Sequence, residues 1–138
     1  MFPEPVHYSR TDSPGWKIKD WETANCLLGY LEPRDRPFAI FALPDESYVQ
    51  CLGKKTRLTV EARVCNPDGT FVHYVFGKGP PISRVEVIEV STGTSEVDAT
   101  QLLAMRDARL IIRQFLETRT FPAKYHAHDV TAQFTNSR

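Results

Sequence analysis

His126 and His128, two residues apart in YHAHD, and His73 in FVHY are the side chains of this sequence best suited to a transition metal. On extended chain, positions i and i+2 project to one side, so His126 and His128 can present two imidazoles together, with His73 on a neighbouring strand as a third ligand. Such a site also needs outer partners that fix each ring, and an HxH near a terminus equally suits hydrogen-bonded structural histidine. The expectation is structural histidines and no cofactor. The alternative is a small metal-binding protein or enzyme using His73, His126 and His128.

Nucleophilic chemistry has less to stand on. Cys51 and Cys65 lie inside apolar strand patterns, where cysteine behaves as a small hydrophobe. Ser91 and Ser95 sit in a loop without a G-x-S-x-G elbow. GKGPP carries prolines where a phosphate cradle needs backbone N–H groups. Arg106, Arg109 and Arg113 form one stripe of a helix and could meet phosphates, but Asp107 and Glu117 close by favour a solvated face.

Charge gives a further lead. The 138 residues carry 17 Lys and Arg against 17 Asp and Glu, and the isoelectric point is about 6.9. No global field steers the chain to nucleic acid or to an anionic membrane, so any electrostatic function is local. Between Arg84 and Gln101 stand Glu86, Glu89, Glu96 and Asp98 with no basic residue, a segment suited to docking a basic partner. Glu96 and Asp98 could instead serve the start of a following helix, where the macrodipole favours anions. Tyr48 and Gln50 share one side of a strand, and Tyr is enriched at protein interfaces. The competing assignment packs Tyr48 under the N-terminal segment and bonds Gln50 to a loop.

The elements that must position these residues are legible in part. Length predicts a single domain over 1–138. Residues 1–15, with Pro3, Pro5, Pro14 and Gly15, predict an irregular arm. A helix is expected from Asp20, with Trp21, Ala24, Leu28 and Leu31 at helical spacing before Pro33. The period then changes to two. RPFAIFAL (36–43), SYVQCL (47–52), RLTVEARVC (57–65) and FVHYVF (71–76) read as an antiparallel meander, and RVEVIEV (84–90) as its fifth strand. In RLTVEARVC, Leu58, Val60, Ala62 and Val64 face a core while Thr59, Glu61 and Arg63 face water or a partner. A long C-terminal helix is expected from Asp98, where Asp98 and Gln101 resemble a capping box, to Thr118. The segment FPAKYHAHDVTAQF is irregular, with a final strand or turn of helix. Two helices on one face of about five strands give an α+β fold.

Three cysteines, Cys26, Cys51 and Cys65, without CxxC spacing speak against a disulfide framework and against a structural zinc site. The opening MFPEPVHYSR has no basic and apolar regions of a secretion signal, and the longest apolar run, FAIFAL, has six residues. A cytoplasmic location is expected, without membrane or nucleic-acid partners.

Together, SYVQCLG, LTVEARV, FVHY, IIRQFLETRTFP and KYHAHDV resemble the small immunity proteins of bacterial polymorphic toxin systems, particularly the deaminase-immunity type, over roughly 21–130. The resemblance implies a non-catalytic α+β protein that binds a cognate toxin domain and silences it in the producing cell. The candidate partner-binding residues are then Glu86, Glu89, Glu96, Asp98, Tyr48 and Gln50. A homodimeric scaffold, with sheet edges paired across a two-fold axis, is a third reading.

Overall fold

In the computed structural model, which describes residues 1–11, 13–90 and 93–135, the chain is α+β with a mostly antiparallel sheet. Its strands are β1 (Val6–Arg10), β2 (Ser13–Ile18), β3 (Phe38–Ala42), β4 (Tyr48–Lys54), β5 (Arg57–Cys65), β6 (Phe71–Gly77), β7 (Val85–Val90), β8 (Gly93–Asp98) and β9 (His126–Asp129). Its helices are α1 (Trp21–Leu28), α2 (Met105–Thr118) and the single turn α3 (Ala132–Thr135). Seven strands form one sheet in the order β2-β1-β3-β4-β5-β6-β9, and β7 pairs with β8 as a separate ribbon. No helix among the described residues is long and apolar enough to cross a membrane.

Period-two patterning sets the central strands. Leu58, Val60 and Ala62 of β5 are fully buried with Val49 and Cys51 of β4, under Ala24, Leu27 and Leu28 of α1 and Ala108, Ile111, Ile112 and Phe115 of α2. Helix α1 begins where Asp20 accepts the Thr23 N–H at 2.9 Å, as its cap position predicts.

The first 15 residues are not an irregular arm. They hold β1 and the first half of β2, a hairpin that extends the sheet beyond β3. Pro14 is compatible with β2 because β2 is an edge strand, with no outer neighbour waiting for a hydrogen bond. Gly15, at φ +89°, lies so close to the Tyr8 carbonyl that a side chain there would collide with backbone.

Two further expectations need correction. RVEVIEV is not the fifth strand of the meander, because β7 leaves the sheet for the ribbon and β9 takes the place beside β6. The C-terminal helix does not begin at Asp98. Asp98 and Gln101 do form a capping box, but it closes only the 3₁₀ turn Ala99–Gln101. Leu103 then exchanges two backbone hydrogen bonds with Leu58, at 2.8 and 2.9 Å, which holds the chain extended until α2 starts at Met105. Strand-like pairing across the fold outweighs local helix propensity there. Beyond α2, Arg119 takes the left-handed conformation, φ +58°, that glycine most often supplies at a helix end. Its guanidinium binds Glu4 at 2.7 and 2.9 Å and Asp45 at 2.8 Å, tying the N-terminal segment and the β3–β4 turn to α2.

Candidate functional site: a sheet face and an acidic ribbon

Helices α1 and α2 cover one face of the sheet. The other face carries Tyr48 and Gln50 of β4, which lie directly across from Arg63 and Glu61 of β5. Gln50 is half-buried and its side chain makes no hydrogen bond among the described residues. Tyr48 does not pack under the N-terminal segment. It meets the His73 ring edge-on at 6.1 Å and the Arg63 guanidinium at 5.8 Å, and burial pushes its hydroxyl above the ordinary value.

Around that pair the β5–β6 surface is ordered by one polar chain. Arg63 Nε donates to His73 Nδ1 at 3.2 Å, which makes Nδ1 an acceptor and leaves the ring proton on Nε2. His73 Nε2 then donates to Glu61 Oε1 at 2.7 Å. The α3 aromatic Phe134 lies over both partners, 4.4 Å from the His73 ring centre and 4.6 Å from the guanidinium. His73 is 1% exposed. Both of its ring nitrogens are already engaged, so the three-histidine metal set does not form.

His126 and His128 do share a side of β9, with ring centres 6.1 Å apart, but the described residues contain no group of three or more His, Cys, Asp or Glu placed to hold a metal. Cys51 is buried with its thiol pushed up to about 12 by desolvation, the inert state expected of a core cysteine. Ser91 lies outside the described residues, and Ser95 pairs with Ile88 within the ribbon. On α2, Arg113 binds Glu117 at 3.2 Å, as a solvated face would. Asp107 is not on that face. It is buried, taking the Tyr125 hydroxyl at 2.6 Å and the Ala104 N–H at 2.9 Å. Burial raises its pKa and these bonds lower it, with a net lowering.

The acidic segment divides by side-chain direction. On β7, Glu86, buried Ile88 and Val90 face inward, while Val85, Val87 and Glu89 face out. Glu86 is not unopposed: Arg57 reaches it at 3.1 Å from the start of β5, and Arg84 at 3.6 Å. Asp98 is occupied too. It accepts the N–H groups of Ile82, Arg84 and Thr100 and the Thr100 hydroxyl, which together hold its carboxyl down at about 2. Glu89 and Glu96 remain, both exposed and without a partner among the described residues. Glu96 lies directly across from Val87. The outer ribbon surface is therefore apolar with an acidic border, with Val85 63% and Val87 42% exposed and Ile82 just ahead of them 60% exposed.

The two candidate surfaces adjoin. Between the ribbon and the sheet opens a cleft of about 450 Å³, lined by Thr59, Glu61 and Val75 on one side and on the other by Val97 and by Val85 and Glu96, which the cleft shares with the outer ribbon surface. Glu61 links them, since it lines the cleft and is the cross-strand neighbour of Gln50. The strand period already placed Thr59 and Glu61 on this face. Their meeting with the ribbon depends on a fold-back over which neither segment has a local signal.

The chain matches no protein-family model and no curated protein.

Proposed function

We propose that the protein is a non-catalytic immunity protein that binds a cognate bacterial toxin domain in the cytoplasm and occludes its active site. The observation that carries this reading is the exposed apolar pair Val85 and Val87 on the outer ribbon, with Ile82 exposed just ahead of it, bordered by the carboxylates Glu89 and Glu96, unpaired among the described residues. Exposed valines with a charged rim are the composition of a protein-binding surface, and local negative charge suits the basic clefts of enzymes that act on nucleic acids or nucleotides. The resemblance of SYVQCLG, LTVEARV and KYHAHDV to deaminase-type immunity proteins supports the same function.

Occlusion needs a preformed surface of roughly 800 Å² per partner. The ribbon, the adjoining cleft and the Tyr48–Gln50 face supply a continuous candidate for it. Of the acidic residues expected to bind the partner, Glu89 and Glu96 keep that role, and Glu86 and Asp98 support the ribbon's structure instead. The reading expects a toxin domain among the products of the flanking genes, and the test is coexpression with it. Cells survive and the two proteins co-purify as an equimolar complex if the function is right, and cells die with the chain folded and unbound if it is wrong.

A further inference from the structure

Building on that function, we propose that the cleft between the ribbon and the sheet receives an arginine or lysine side chain of the bound protein, together with that residue's own backbone carbonyl. Glu61 and Glu96 line this cleft, and among the described residues His128 is the one basic side chain that does so, with no lysine or arginine. Glu61 gives one oxygen to His73, and its other oxygen has no partner among the described residues, as is true of the whole Glu96 carboxylate. Asp98 also lines the cleft, but its oxygens are taken by backbone and by Thr100.

Acidic residues alone would not define a site. Two uncharged groups make the cleft specific. Thr59 is 3% exposed and Gln101 8% exposed, and both line it. The Thr59 hydroxyl makes no hydrogen bond among the described residues, and Gln101 uses only its oxygen, accepting the Asp98 N–H at 3.3 Å. Neither polar atom is sealed from the cleft. A hydroxyl and an amide N–H₂ that open on one cavity without a protein partner are free to bond a ligand there, and one that matches both would gain two hydrogen bonds.

The chemistry of that ligand follows from the four groups. Two carboxylates and a hydroxyl accept from a cation with several N–H donors. The Gln101 amide is a donor and needs an acceptor on the same ligand, which a bare amine or guanidine lacks and a peptide unit has. Val75 and Val97 between them offer apolar wall for an aliphatic stem. A basic residue within a polypeptide has all three features.

The purified chain alone can be tested, which separates this site from the protein's function. N-acetyl-arginine methylamide is titrated while amide shifts are followed by NMR. Its citrulline analogue serves as the neutral isostere, and n-butylguanidinium as the cation without a carbonyl. Saturable shifts are expected at Thr59, Glu61, Val97 and Gln101 in the millimolar range, as befits one residue in a half-open site. The citrulline analogue should bind at least about tenfold more weakly, and n-butylguanidinium several-fold more weakly. Glu96→Gln, on the surface, and Glu61→Gln, which keeps an acceptor for His73, should each weaken arginine binding while leaving the spectrum folded. Equal binding of arginine and citrulline, indifference to both substitutions, or shifts confined to other parts of the chain would overturn the site. Any of those results would leave toxin occlusion through the outer ribbon standing.

Discussion

The imidazole of His73 and the carboxylate of Glu61 are joined at 2.7 Å across adjacent strands, one side chain buried and the other a quarter exposed. Glu61 therefore has two duties: it satisfies a buried ring and it faces the cleft. Glu61→Leu strands the His73 N–H and should cost about 1–3 kcal/mol, whereas Glu61→Gln keeps an acceptor and should cost much less. Denaturant melts of the two variants check this, and equal stability would mean that the His73 bond contributes nothing.

Phe115 is fully buried and stacks on Phe121 with ring centres 5.2 Å apart and planes 5° from parallel. Phe115→Ala should cost about 3–5 kcal/mol, a large share of the stability of a domain of this size. A thermal midpoint lowered by only a degree or two would remove α2 from its place as the main cover of the sheet.

Acid should destabilise the fold within a narrow window. Asp45 is held down at about 2, first by the Arg119 guanidinium, and Asp98 at about 2, first by the Thr100 hydroxyl, against an ordinary value of 3.8. Because the folded values lie below the unfolded ones, the stability they add is present above the ordinary value and is lost as pH falls from about 4 toward 2. Thermal midpoints should be flat near neutrality and drop through that window. Asp98→Asn should lower the neutral midpoint and flatten the acid limb, and a variant that melts like wild type at both ends would contradict the role given to Asp98.

Much of the sheet was legible because its strands alternate one residue in, one residue out, so Leu58, Val60 and Ala62 declared the core face and Thr59 and Glu61 the other. What the sequence concealed were arrangements decided by distant partners. Pro14 and Gly15 look like loop residues until an edge position and a close approach to Tyr8 accommodate them. Asp98 and Gln101 carry a true helix-start signal, yet Leu103 pairs with Leu58 and delays the helix. At the site, Glu86 looks unpaired along the chain because Arg57 is far away in sequence. The alternation of VEVIEV does carry the signal that separates Glu86 from Glu89.

The outward carboxylates should act mainly on association. Glu89→Lys with Glu96→Lys leaves the Glu86 and Asp98 networks intact and should slow binding to the toxin domain, with an effect that shrinks at high salt. Stopped-flow association at two ionic strengths is the check. An unchanged on-rate would shift the interface away from the ribbon and toward Tyr48 and Gln50.

The most direct measurement of the central claim is an inhibition titration of the toxin domain that the proposed function expects among the products of the flanking genes. Toxin activity should fall linearly to zero at one equivalent of this protein, with an affinity in the nanomolar range or tighter. Undiminished activity in the presence of excess folded protein would show that it is not that toxin's inhibitor.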